Sequence, residues 1–191
     1  NTSVASLLLA RLYGVSLDDC TGAGTGLDAA GVARKRAVLA QALAVNADAV
    51  EPLDALAALG GFEVAALTGA VLQAALERRV IVVDGFITSA AVLVAARLQP
   101  HILQRCVFTH GSAEPGHALM LAQLGAQPLL NLGLRLGEGS GAALAWPAFP
   151  ALCLAARRWR GRCSKRPVPS CARWPVLRRP AWRRRRGEEV R

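Results

Sequence analysis

No apolar run in this chain of 191 residues reaches the roughly 18 that a membrane span requires. The best candidate, Val64 to Leu76, is shorter and carries Thr68 and Gln73, so it predicts a buried helix. The first residues lack a basic stretch and a small-residue cleavage site, which makes the cytoplasm the expected compartment. No Gly-Lys-Ser/Thr follows the Gly-rich turn Thr21 to Gly26, and its glycines lack the dinucleotide spacing, so that turn is neither a Walker loop nor a dinucleotide fingerprint. The five cysteines form no close pair: Cys153, Cys163 and Cys171 stand 10 and 8 residues apart, which matches no zinc pattern. Cys20 and Cys106 stand alone and are expected to be reduced thiols. Charged residues are only 19% of the chain against 53% hydrophobic, which excludes wholesale disorder and allows one domain with a buried core.

The net charge of +10 invites a nucleic-acid reading until it is divided. Residues 151–191 hold 14 Lys and Arg against 2 Glu, whereas residues 1–150 hold 9 basic and 11 acidic residues. The tail has no Ile, Phe, Tyr, Met, Asn, Asp, Gln, His or Thr and no helical or alternating period. Pro167, Pro169, Pro175 and Pro180 would interrupt any regular element in it. The chain therefore divides into a body, 1–149, and an Arg/Pro/Trp-rich tail, 150–191, expected to be disordered or to come from GC-rich codons read out of frame. The competing reading is an Arg/Trp arm that grips phosphate backbones and stacks bases. The abrupt switch in composition favours the former.

The body alternates helical and strand-like stretches. Thr2 to Tyr13 is an apolar helix ended by Gly14, and Asp28 is placed to cap a helix running to about Ala44. Asp48 to Leu59 and Phe62 to Arg78 read as two more helices, separated by Gly60-Gly61. Val80 to Val83 is a continuous β-branched run, the mark of a strand buried on both faces. Thr88 is placed to cap a helix to about Leu98, and Cys106 to Thr109 is a second buried strand. A polar loop, His110 to Gly116, then leads into a helix ending at Leu124, with a third strand over Pro128 to Leu132 and a last helix from Ala142 to about Phe149. Strands separated by helices predict an α/β fold with a parallel sheet, whose ligands bind beyond the carboxyl ends of the strands. Asp84, His110 and the Arg135–Glu138 turn fall at such ends.

Several residues are candidates for chemistry. The amides of Thr21-Gly22-Ala23-Gly24-Thr25-Gly26 could cradle a phosphate, although a flexible connector is the simpler account. Lys35 lies about two turns into the next helix, on a face it shares with Arg34 and Arg36. His110, Glu114 and His117 have a spacing that suggests a metal site, but Pro115-Gly116 breaks any single helix face, so loop hydrogen bonding is the better account. Glu138 sits among Gly137, Gly139 and Gly141, where backbone and ligand can approach closely. It is either a general base or a carboxylate that favours a helix dipole, and spacing alone does not choose.

Four stretches in order are similar to one family: Gly60 to Ala70, Val83 to Ala91, His110 to His117, and Pro128 to Ala143. Together they resemble the nicotinate-nucleotide:dimethylbenzimidazole phosphoribosyltransferases of cobalamin nucleotide-loop assembly, over residues 1 to about 149. The resemblance implies a Rossmann-like α/β fold, a parallel sheet flanked by helices, in a homodimer. It implies transfer of phosphoribose from nicotinate mononucleotide to 5,6-dimethylbenzimidazole without metal or cofactor. By motif position Glu138 would be the base, with Gly24, Gly26 and Lys35, and less firmly Ser112, around the phosphate. The Leu136–Gly137 backbone would lie beside the aromatic base. Asn1-Thr2 is similar to the end of the family's Gly-Ile-Gly-Asn-Thr loop, so the chain is expected to be a C-terminal fragment whose fold is incomplete at the N-terminus. The rival functions are nucleic-acid binding through the tail and an inactive remnant that still binds nucleotide; a membrane partner is not expected.

Overall fold

The computed structural model describes residues 1–149 except Thr25, together with Ala151. The tail expected over 150–191 otherwise lies outside the described residues. The strands of the body are short and pair in parallel: β1 (Ile81–Val83) with β2 (Cys106–Phe108), and β3 (His110–Ser112) with β4 (Leu130–Leu134). Thr109 links β2 to β3. Its N–H and its hydroxyl both donate to the Val83 carbonyl at 2.9 Å, while its own carbonyl accepts the Leu130 N–H at 2.9 Å. One line of chain therefore pairs first with β1 and then with β4. Helix α6 (Phe86–Leu98) connects β1 to β2 and helix α7 (Pro115–Gln123) connects β3 to β4, the crossovers that parallel strands require.

The other helices precede the sheet: α1 (Thr2–Tyr13), α2 (Leu17–Cys20), α3 (Ala29–Val45), α4 (Pro52–Leu59) and α5 (Phe62–Leu76), with α8 (Ser140–Ala145) after β4. Their ends follow local chemistry. Gly14 ends α1 in the left-handed region at φ 68°, which glycine adopts without a Cβ penalty. The Asp28 carboxylate accepts the Gly31 N–H at 2.7 Å and starts α3. Pro52 occupies the first turn of α4, where its missing N–H is of no consequence.

Four expectations need correction. Helix α5 is not buried: only Val64, Thr68 and Ala75 are enclosed, Val71 and Leu72 pack against the core half-covered, and Phe62 is 94% exposed. The buried helix is α6, apolar all round, with α1, α4, α5 and α7 packed against it and Ser89 through Ala96 inaccessible. Both helices are rich in Ala and aliphatic residues, so neighbours rather than composition decide which is enclosed. Strand β1 is likewise only half-covered, with Val83 alone buried, because β2 is its one partner among the described residues. Thr88 is not the cap of α6 but lies a turn inside it, where its hydroxyl accepts the Gly85 N–H at 3.0 Å. Finally, the first half of the His110–Gly116 loop is strand β3, held by β4, a pairing that no local pattern announces.

The core runs through Leu8 and Leu9 of α1, Val92, Leu93 and Val94 of α6, and Met120 of α7. Burying a side chain of that size stabilises by roughly 1.5–3 kcal/mol. The Thr68 hydroxyl, buried between α5 and α6, stays satisfied by donating to the Val64 carbonyl at 2.8 Å. Among the described residues no helix is long and apolar enough to cross a membrane.

Candidate active site

The Gly-rich turn ahead of α3 is gripped from three sides. Gly22 is buried, and a Cβ there would meet the Glu114 carboxylate and lie 2.7 Å from Pro115 Cδ. Lys35 does not share the solvated face of Arg34. It is half-buried, and its Nζ donates to the Gly22 carbonyl at 3.0 Å and to Thr2 Oγ1 at 3.1 Å. An ammonium has three donors, so these bonds leave one for a further acceptor. From the far end of the chain, Arg135 Nη2 donates to the Gly24 carbonyl at 3.4 Å. Gly24 (φ 60°) and Gly26 (φ 121°) both take conformations that side-chain-bearing residues avoid. Two cations thus converge on one glycine turn.

Arg135 also opens the loop that carries Glu138. Gly137, Glu138 and Gly139 are all left-handed, at φ 77°, 56° and 78°. For glutamate this conformation is unfavourable by about 1–2 kcal/mol. The Glu138 side chain is exposed and makes no hydrogen bond or ion pair among the described residues. The loop is held instead by its backbone: Asp84, directly after β1, accepts the Gly139 N–H with Oδ2 at 3.2 Å and the Ala142 N–H with Oδ1 at 2.9 Å. Gly141 packs flat on the buried His110 ring, with room for no Cβ between them. Leu136, the residue expected beside an aromatic base, is 75% exposed.

Beneath this loop lies a buried pair of histidines, with ring centroids 6.2 Å apart. The Ser112 N–H donates to His117 Nδ1 at 2.9 Å, so that nitrogen carries no proton. The tautomer follows: Nε2–H donates to Ser89 Oγ at 3.1 Å. Burial, followed by the neighbouring His110, pushes the His117 pKa down to about 4, with Asp84 opposing. His117 is therefore a neutral structural element near neutrality. The Ser112 hydroxyl accepts the Glu114 N–H at 3.2 Å, which ties the serine to the residue that faces Gly22. Among the described residues no group of three or more His, Cys, Asp or Glu is placed to hold a metal ion. Cys20 and Cys106 are free, and burial raises both thiol pKa values, that of Cys106 to about 11.

Among known protein families, the one described as Phosphoribosyltransferase (DBI_PRT) matches residues 1–159. The chain belongs to this family. Its similar curated relatives include the nicotinate-nucleotide–dimethylbenzimidazole phosphoribosyltransferase of Variovorax paradoxus, 71% identical over 153 residues, or 80% of this chain and 44% of the relative. The Cupriavidus necator protein of the same name is 64% identical over 147 residues, 77% of this chain and 42% of that protein. The crystal structure of CobT from Thermus thermophilus superposes with a TM-score of 0.75 at 40% identity, covering 79% of this chain and 45% of that one. The chain thus spans less than half the length of these relatives. All the residues singled out by sequence, Gly24, Gly26, Lys35, Ser112, Leu136, Gly137 and Glu138, lie inside the phosphoribosyltransferase match, which runs past the composition change near residue 150.

The fold brings the Gly24–Gly26 turn, Lys35 and the Leu136–Glu138 loop into one region through Arg135, and reaches Ser112 through Glu114 and Gly22. Thr2 was not among the residues expected to form the site, whereas Asp84 and Arg135 were expected there only from their place at strand ends, with no role assigned. Nothing local marks Thr2 as the partner of a lysine 33 residues away.

Proposed function

We propose that this chain carries the nucleotide-binding and proton-accepting part of an enzyme that moves phosphoribose from nicotinate mononucleotide to 5,6-dimethylbenzimidazole, yielding nicotinate and α-ribazole 5′-phosphate. The observation that carries the reading is the loop around Glu138. At one end Arg135 reaches the Gly24 carbonyl, at the other Asp84 holds the Gly139 amide, and between them stands a carboxylate with no partner among the described residues. This supports a base at Glu138 working with a turn suited to an anionic phosphate, where Lys35 and the amides about Gly24 and Gly26 supply charge and donors. One benzimidazole nitrogen attacks the anomeric carbon as the bond from that carbon to the nicotinate nitrogen breaks. The electron pair stays with the departing ring, which leaves neutral from a pyridinium and so needs no acid. Glu138 takes the proton from the second benzimidazole nitrogen. Seating both rings side by side supplies much of the acceleration, and Leu136 with Gly137 offers an exposed apolar edge for the flat base. The relatives' further length would complete the base pocket, and the homodimer belongs to the same proposal.

The test is turnover of this chain with both substrates, following nicotinate and α-ribazole phosphate by chromatography, with nicotinate mononucleotide binding measured beside it. Removing a positioned general base slows turnover by about 10²–10⁴-fold, so Glu138→Gln should abolish most product. Normal product from that variant refutes the base. A chain that neither turns over nor binds the nucleotide refutes the whole reading.

A further inference from the structure

Resting on that reading of Glu138, we infer that Asp84 is the positioning residue of the catalytic loop: its carboxylate sets the backbone of Glu138 and so the direction of the base. Glu138 has φ 56°, a conformation its own side chain disfavours, and its side chain has no partner among the described residues that could hold it there. Whatever fixes this backbone must act on the peptide groups beside it. The Gly139 N–H belongs to the same peptide plane as the Glu138 carbonyl, and that N–H goes to Asp84 Oδ2 at 3.2 Å. The second oxygen takes the Ala142 N–H at 2.9 Å, so the two arms of one carboxylate span the loop from Gly139 to Ala142. Gly139, the residue just before α8, has no side chain to satisfy these amides itself.

Asp84 can do this because it is fixed on its own side. It follows β1 directly, its side chain is only 12% exposed, and its carbonyl accepts the Thr109 hydroxyl at 3.2 Å. His110 stands behind it, with Nδ1 3.8 Å from Oδ1 and its ring between Gly85 and Gly141. The loop therefore rests on a carboxylate that directly follows β1 and an imidazole that opens β3. A carboxylate has two acceptors of one charge; an asparagine has one acceptor, and its NH₂ would oppose the other amide. Asp84→Asn is then a small change in size and a large change in function.

The experiment uses the full chain and has two independent readouts. In NMR, the Cα and Cβ shifts of Glu138 report its left-handed backbone. Asp84→Asn should move them toward ordinary values and speed amide exchange at Gly139 and Ala142 about tenfold, with nicotinate mononucleotide affinity within about twofold of wild type because Lys35 is untouched. In turnover, kcat should fall by about 10²-fold with little change in KM, the effect of a misaimed group rather than a lost binding contact. In the Glu138→Gln background, where there is no base to aim, Asp84→Asn should add little. Unchanged Glu138 shifts overturn the inference, whether or not the chain turns over. So does an equal loss of kcat in both backgrounds. Full activity in Glu138→Gln alone instead removes the base while leaving the backbone readout to judge Asp84. If Asp84→Asn does not fold, Asp84→Ser, which keeps one acceptor, is read the same way.

Discussion

Acidification should weaken this fold through His117, and the size of the effect follows from its surroundings. The ring is 1% exposed, accepts the Ser112 N–H at Nδ1 and donates from Nε2 to Ser89. Protonating Nδ1 would place two donors face to face in a buried site, and desolvation, the first cause of the shift, lowers the pKa from 6.5 to about 4. In the unfolded chain the ring binds its proton near pH 6.5; in the folded chain it resists until about pH 4. Between these values the unfolded state holds more protons, so stability is complete above about pH 6.5 and falls as the pH drops toward 4. At 1.36 kcal/mol per pH unit the loss is roughly 3 kcal/mol. For a unit of this size that lowers Tm by roughly 6–12 °C. Urea titrations at half-unit steps from pH 7 to 4 measure it, with His117→Asn as reference, since its amide oxygen can still accept the Ser112 N–H but does not titrate. The mutant is expected to be less stable at pH 7 and to have the flatter profile. Every other titrating group is common to both proteins, so the difference between profiles isolates His117. Parallel profiles for the two proteins would refute the reasoning.

Two further outcomes follow from the packing around the site. Gly141→Ala would drive a Cβ into the His110 ring, to 2.6 Å from Cγ, with Gly85 against the ring on another side; overpacking of this kind destabilises by about 1–3 kcal/mol. Its Tm should fall, whereas Gly69→Ala, mid-helix on α5 with nothing within 4 Å of the new methyl, should raise Tm slightly; thermal melts in which both variants move the same way would contradict the geometry. Lys35→Met keeps the aliphatic stem but loses the bonds to Thr2 and Gly22, and should weaken nicotinate mononucleotide binding by about 10–100-fold in calorimetry, with unchanged affinity removing Lys35 from the phosphate site.

The elements that could be read from sequence are those whose cause is local. Asp28 caps α3 three residues on, Gly14 ends α1, and the β-branched run at Ile81–Val83 forms a strand. What could not be read was which apolar helix is enclosed, because α5 and α6 differ in their neighbours rather than in their composition. Strand β3 was hidden for the same reason: His110-Gly111-Ser112 has no strand pattern and is extended because Leu130 and Leu134 lie opposite. The site divides along the same line. Glu138 and the Gly-rich turn each stood out, but each had a bland alternative, and spacing could not choose. The contacts that favour a site join residues 55, 58 and 111 positions apart, far outside any local window.

Glu138 itself shows why the two scales must be combined. A sequence that served only the fold would place glycine or asparagine at a left-handed position between two glycines. Glutamate there carries a backbone penalty of about 1–2 kcal/mol. Among the described residues its carboxylate returns nothing: it is exposed, and neither hydrogen bonded nor ion paired. A helix-dipole role would offset only about 0.3–1 kcal/mol, and the amides that such a carboxylate would serve are already taken by Asp84. The fold therefore supplies the capping group from elsewhere and leaves Glu138 unspent. A charged side chain held in a disfavoured conformation by another residue's carboxylate, and used by nothing among the described residues, favours a role toward a ligand over a role in stability.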